Sequence, residues 1–574
     1  MSEQLEVRIE PARTRRDLAT IALLVALCTV PSLFTRDLWN PDEPRYTEVA
    51  REMVVLRDYL VPHLNGEVYA EKGPLFFWLT AALWELGAGF NSGRLVAMLA
   101  VLGTAVIIYL GFRRQLGARG ALLAVAAALT TVLLVKFARR GVLDPLLMFT
   151  ATAAIVAGFH ALQPATRRRR LCWVACYASL ALGVLNKGPV GLLVPALPLL
   201  AYGIAARREV RGGGWLHAVG ALVLLAMVAA WVVPACVAGG REYAQTILVR
   251  QHVGRAVQSY SHRQPPWFFL LVGPPLLLPW TLLLPQAVAG AFRKWRDERT
   301  HVALLAAAWL LLPLVFFSII SGKRDCYIVP IAPAAGLLIA HYFTAEGLRR
   351  GRMLSAERRL MGIVFGVLLV LCGVLAVSAV VAGPLIDGGY VSRWSKVDPA
   401  EVAPFHGALP WPRAVLALAL LALPAAACVR GLRTPHEQGM RRAALLAAAV
   451  LALGLTIDLV MTPIVNRVKS GRTLADEVVR RAEPGREIYL YGDNFSNLYN
   501  LYTGRVHMPY LAKAEHARLR ELLAAPGTLI ISQCGWLKNV LTEREQEDHI
   551  VYEERVGHRA MVVLAGRAPD TGGR

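Results

Sequence analysis

Apolar residues in this chain come in long uninterrupted runs, and Arg and Lys gather in the short segments between them. Several runs approach the roughly 20 residues a helix needs to cross a hydrocarbon core. They predict thirteen spans, near 17–34, 94–112, 120–137, 143–162, 171–185, 188–205, 216–238, 266–290, 301–320, 326–345, 360–382, 413–429 and 443–462. With a cytoplasmic N-terminus, the exits of the even-numbered spans carry Arg113 and Arg114, Arg167 to Arg170, Arg207 and Arg208, Arg293 and Lys294, Arg349 and Arg350, and Arg430 with Arg433. Every short basic loop then lies inside, as the orientation bias of Lys and Arg requires. An odd number of spans puts residues 463–574 on the outer face.

Two further segments read as interfacial. Counting Leu75 to Gly89 as a span would invert every later loop; Phe76, Phe77, Trp78 and Trp84 are the aromatics expected at headgroup level, and Glu85 breaks the apolar face. Pro44 to Arg57 has Tyr46, Val49, Met53 and Leu56 at helical spacing opposite Glu48, Arg51 and Glu52, an amphipathic helix expected to lie flat on the outer leaflet.

Composition agrees. Of 574 residues 56% are hydrophobic, and the mean hydropathy is +0.46. The excess of 62 Lys and Arg over 40 Asp and Glu sits in loops between spans, so topology accounts for the basic charge and no nucleic-acid partner is implied. Of eight cysteines, Cys28, Cys172, Cys176, Cys372 and Cys428 fall inside spans, and no disulfide framework is visible. The first helix has basic residues ahead of it and no small-residue cleavage signature, and is read as retained.

The pattern changes after Pro463. Helices over 473–482 and 512–525 and buried strands over 487–492 and 527–533 predict a small α/β domain that covers the site rather than performing the chemistry. Gly492 and Asp493 read as a solvated turn.

The candidate chemistry follows the first span: Asn40-Pro41-Asp42-Glu43-Pro44-Arg45-Tyr46, then Tyr69-Ala70-Glu71-Lys72. Ionisable groups beside lipid are costly and mark function, and paired acids and bases at a helix exit suit an anionic lipid. In the thirteen-span arrangement these residues share the outer face with Arg139, Arg140, Asp144, Lys187, His252, Arg255, Lys323, Arg324 and Tyr327. Asp42 and Asp144 also read as helix N-caps, Glu43 as a charge favouring a helix dipole, Asn186 and Lys187 as helix-end anchors, and Tyr69 and Tyr327 as interfacial anchors. Asp458, near the outer end of the last span, is expected to face headgroups.

"LWNPDEPRYTEVAREM", "VPHLNGEVYAEKGPLFFW", "NKGP", "QHVGR" and "SGKRDCYIVP" together resemble the lipid A 4-amino-4-deoxy-L-arabinose transferases, GT-C glycosyltransferases related to the protein O-mannosyltransferases. The family's "EKP" is "EKGP" here, and "GKLPxY" is "GKRDCY". The resemblance implies an α-helical integral membrane protein of GT-C type, with a membrane domain over 1–462, its loop 35–93 carrying the interfacial helices, and a periplasmic α/β domain over 463–574. It implies transfer of aminoarabinose from undecaprenyl phosphate to lipid A in the bacterial inner membrane, with the site facing the periplasm and polymyxin resistance as the consequence.

Charge then distributes the roles. Breaking the anomeric bond leaves an additional negative charge on a lipid phosphate, and Lys72, Arg45 and Arg255, seconded by Lys187 and Lys323, can receive it, with Tyr69 and Tyr327 as hydrogen-bonding partners. A phosphate acceptor is already anionic and needs no strong base, so Asp42 and Asp144 are assigned to orienting acceptor, sugar ammonium or a cation, with Glu43 beside them. Glu71 and His252 offer donors for a divalent metal ion, zinc or magnesium. A related enzyme moving a hexose to protein or glycan is the alternative. A lipid or sugar transporter, the reading from another class, would place its charges near the midplane and show repeated halves.

Overall fold

The computed structural model describes residues 11–248, 263–298, 301–345, 351–391 and 402–567. Long apolar helices form one bundle. They are α1 (Pro11–Thr35), α4 (Ser92–Leu129), α6 (Leu143–Leu162), α7 (Arg169–Lys187), α8 (Val190–Ala205) and α9 (Leu216–Gln245), followed by α10 (Phe268–Leu276) with α11 (Leu284–Glu298), then α12 (His301–Ile319), α13 (Ala332–Thr344), α14 (Gly351–Asp387), α15 (Trp411–Arg433) and α16 (Gly439–Thr456). Short helices α2 (Asp42–Leu56), α3 (Leu75–Leu83) and α5 (Val132–Phe137) sit in the connections.

Among the described residues, nine helical stretches are long and apolar enough to cross a membrane. Of the other expected crossings, α7 is long enough but less apolar, and the rest are shorter or broken. Span 266–290 is interrupted between α10 and α11 around the Trp280–Leu282 turn, and spans two and three are one helix, α4, broken at Gly117, whose φ of 71° no helix interior adopts. α3 is nine residues long, a rise of about 14 Å, too short to span alone.

α6 and α13 are the most deeply enclosed, while α9 and α14 expose most of their surface. In α13 the enclosure is tight: Gly336 lies so close to the Ala124 carbonyl of α4 that a Cβ would come within 2.2 Å of it. Small residues let helices approach where no hydrophobic drive separates protein from lipid.

The two connecting helices are not laid flat on a leaflet. Both faces of α2 are buried, including Glu48, Arg51 and Glu52. The apolar face lies on α3, where Phe76 and Phe77 are fully buried under Tyr46 rather than placed among headgroups. The polar face meets the C-terminal domain: Arg51 holds Glu48 through two bonds of 2.7 Å and donates to the carbonyls of Gly504 and Arg505, both at 3.1 Å.

That domain has a five-stranded mixed sheet of order β4-β3-β5-β7-β6, from β3 (Ile488–Tyr491), β4 (Tyr510–Leu511), β5 (Leu529–Gln533), β6 (Ile550–Val556) and β7 (Arg559–Ala565). β3 pairs in parallel with β4 and β5; β7 runs antiparallel to β5 and β6. The expected helices appear as Arg472–Arg481 and His516–Leu523, whereas the β6–β7 hairpin was not anticipated. A small hairpin, β1 (His63–Leu64) with β2 (Glu67–Val68), links the layers: its Asn65 bonds Asn500 at 2.8 Å and Met508.

Candidate active site

One end of the bundle collects the polar residues. α2 begins at Asp42, and no side chain caps it. The Asp42 carboxylate is instead engaged by two cations: Arg45, one helical turn on, at 2.8 Å, and Arg324, from the connection between α12 and α13, whose guanidinium bonds both oxygens. Burial opposes its charge, yet Arg324, then Arg45 and Lys187, outweigh it and hold the Asp42 carboxyl below its ordinary range.

Asp144 likewise does not cap α6, whose N-cap is Val142. It pairs at 2.5 Å with Lys187, the last residue of α7, and the Lys187 ammonium lies 5.0 Å from the centre of the Tyr327 ring. Asn186 beside it donates to the Leu143 carbonyl at 3.0 Å, tying the end of α7 to the start of α6. Since Lys187 acts on both carboxylates, the two pairs belong to one electrostatic cluster.

Arg45 extends that cluster towards the second motif. Burial works against its charge, but Tyr69, Tyr46, Asp42 and Glu71 together raise its pKa. Tyr69 is buried edge-on against Phe77, with ring centroids 6.0 Å apart. Gly73, next to Lys72, fits against the end of α7: a Cβ there would stand 2.0 Å from the Leu185 carbonyl oxygen. The inserted glycine of "EKGP" is therefore a close-approach residue that seats Lys72 beside the Asn186-Lys187 turn.

Glu43 points elsewhere. It is buried, with Arg36 and Arg94 as ion-pair partners, the latter at 3.2 Å, and the Gly141 amide donates to it at 3.0 Å. Burial opposes its charge, and the two guanidinium groups still hold its carboxyl low. It ties α2 to the ends of α1, α4 and α6 and does not join the Asp42 cluster. Asp458 is also not among headgroups: it is buried and paired with Arg139 at 2.8 Å. Lys323 donates to the Gln264 carbonyl at 2.8 Å, apart from the carboxylates.

Glu71 and Lys72 are half-buried near this cluster, while His252 and Arg255 lie outside the described residues. Among the described residues no three His, Cys, Asp or Glu side chains come together in a metal-ligating group. From sequence, Arg324 is placed on the outer face without a role, and Arg36 and Arg94 are not singled out at all. The signal for Arg324 was its place within "GKRDCY"; for the other two, only the rarity of buried arginine beside a span.

The architecture is the GT-C fold of membrane glycosyltransferases: the solved structure of ArnT from Cupriavidus metallidurans bound to undecaprenyl phosphate superposes with a TM-score of 0.72 at 22% identity, over 98% of this chain and 100% of that one. An Archaeoglobus fulgidus oligosaccharyltransferase shares the fold more loosely, with a TM-score of 0.52 at 12% identity, over 91% of this chain and 70% of that one. Residues 71–233 match the dolichyl-phosphate-mannose-protein mannosyltransferase family model. The undecaprenyl phosphate-alpha-4-amino-4-deoxy-L-arabinose arabinosyl transferase of Erwinia tasmaniensis is 30% identical over 384 residues, 65% of this chain and 68% of that protein. Transferase 2 of the same description from Sodalis glossinidius is 32% identical over 362 residues, 61% of this chain and 62% of that one. This chain belongs to that arabinosyl transferase family, and its alignments span about two thirds of its relatives' length.

Proposed function

We propose that the protein transfers 4-amino-4-deoxy-L-arabinose from undecaprenyl phosphate to a lipid A phosphate at the periplasmic face of the bacterial inner membrane, raising resistance to polymyxin and other cationic peptides. The observation that carries the reading is the cluster of Arg45, Arg324 and Lys187 around Asp42 and Asp144 at one end of the bundle. It offers fixed positive charge where a lipid phosphate departs.

In this scheme an oxygen of the acceptor phosphate attacks the anomeric carbon in line with the departing oxygen. The bond from that carbon to undecaprenyl phosphate breaks, and its electron pair stays on the leaving phosphate. No proton has to be removed from an acceptor that is already anionic. Lys72, Arg45 and Arg255 stabilise the charge as it develops, and preorganised cations in a site shielded from water do this without reorganisation. Asp42 and Asp144, each held by cations, orient acceptor and sugar ammonium. Tyr69 and Tyr327 complete the polar wall, and the C-terminal domain covers the layer behind α2.

Mass spectrometry of lipid A tests this in a host that makes the donor but has no transferase of its own. The expected outcome is a pentosamine increment that depends on this chain and is lost in Lys72→Ala. A hexose increment on another acceptor would favour the alternative, and no increment would reject the assignment.

A further inference from the structure

A cavity of about 890 Å³ has its polar residues, Arg119 and Glu437 to Arg441, on helix ends opposite those that carry the carboxylate cluster. Its walls come from α1, the second half of α4, α15 and α16, with Leu24, Leu122, Leu423 and Leu455 among them, and the exposed Arg119 and Arg441 line it as well. Arg119 forms no ion pair among the described residues, and Arg441 bonds only the neutral Gln438, at 3.2 Å. The one acidic side chain lining the cavity, Glu437, is in contact with His436 at 2.9 Å. The volume is that of a ligand site rather than a packing defect.

Dimensions and charge name the occupant. From Arg441 to Leu455 the helix rises about 21 Å, whereas half a hydrocarbon core is about 15 Å. Along α16 the crevice therefore passes the midplane, while on α1 (Thr20–Leu27) and α4 (Arg119–Ala126) its wall is only about 10 Å deep. On α1 and α4 an additional helix would find only about two turns of wall, whereas an acyl chain needs no more. Two arginines at the polar end suit a phosphodiester carrying net negative charge, and basic pockets between helices on the cytoplasmic side recognise such headgroups. We propose that this crevice holds one anionic glycerophospholipid of the cytoplasmic leaflet, its phosphate between Arg119 and Arg441 and an acyl chain along α16. The leaflet rests on the orientation proposed above; the lipid site itself does not.

Native mass spectrometry of the full chain from nanodiscs of phosphatidylethanolamine with a minor share of phosphatidylglycerol tests it. One phosphatidylglycerol should be retained in preference to phosphatidylethanolamine. The pair Arg119→Ala with Arg441→Ala should lower that retention by about tenfold or more and leave arabinosyl transfer near the level of the unaltered protein. Ala448→Phe, which fills the crevice with both arginines intact, should also abolish it. Equal retention of the two lipids, retention unchanged in the variants, or displacement by added undecaprenyl phosphate would overturn the proposal. Retention is read by mass, so an inactive transferase leaves the result standing.

Discussion

Arg324 grips both carboxylate oxygens of Asp42, a residue 282 positions earlier in the chain. The "GKLPxY" pattern of the resemblance would place Leu where this chain has Arg324, and Pro where it has Asp325, whose carboxylate pairs with Lys136. Both departures therefore acquire partners. A carboxylate held by Arg324 and Arg45 is a poor proton acceptor and a well-fixed negative charge, which fits an orienting role.

Replacing Arg324 should make Asp42 easier to protonate. A carboxylate whose folded pKa is depressed contributes stability above its unfolded pKa and loses it as pH falls through the folded one. The pair is thus intact at neutral pH in the native protein. In Arg324→Leu the acid limb of the kcat/KM profile should move to higher pH, with less than about a tenfold loss at pH 7 because Arg45 remains. An unmoved acid limb would show that Asp42 does not govern it.

The Lys187–Asp144 pair should behave as a unit. Lys187→Met leaves Asp144 buried without its cation, a loss of about 3–5 kcal/mol, while Lys187→Met with Asp144→Asn should recover much of the stability but not the transfer rate. Thermal unfolding and lipid A transfer, measured over the double-mutant cycle, separate the two effects. Additive losses would contradict the coupling.

Gly73→Ala adds a single methyl, and its expected cost is positional. Since that Cβ would meet the Leu185 carbonyl at 2.0 Å, the loop must move and carry Lys72 with it. Donor KM should rise more than kcat falls, with a small drop in thermal midpoint. A variant with unchanged kinetics would remove Lys72 from the donor site.

Glu52 predicts a pH-dependent seam. Burial, reinforced by Glu48, outweighs the Gly66 and Asn65 amides and raises its carboxyl from 4.5 to about 8. Its contribution is full below pH 4.5 and is lost progressively as pH rises to about 8. Hydrogen exchange of residues 504–508, which dock on α2 and the β1–β2 hairpin, should therefore quicken towards pH 8 in the native protein. In Glu52→Gln that pH dependence should vanish.

The apolar runs and the basic loops were legible because each depends on the chain's local composition: twenty apolar residues span a bilayer wherever they occur. The pairing of Asp144 with Lys187 was not, since both residues also read as helix-end anchors and 43 residues separate them. Helical periodicity placed Glu48, Arg51 and Glu52 on one face of α2 but could not say what covers it. A polar face turned to headgroups and one turned to a docked domain have the same pattern.

The sequence by itself determined a multispan helical membrane protein, the local motifs and the α/β character of the last hundred or so residues, because hydropathy and strand or helix period are properties of neighbouring residues. Only the tertiary structure decided that Arg324 holds Asp42, that Glu43 and Asp458 are buried ties, and that α2 is clasped between bundle and sheet domain. Those outcomes depend on which helix ends meet in space, and a charge finds its partner by proximity that sequence separation does not encode.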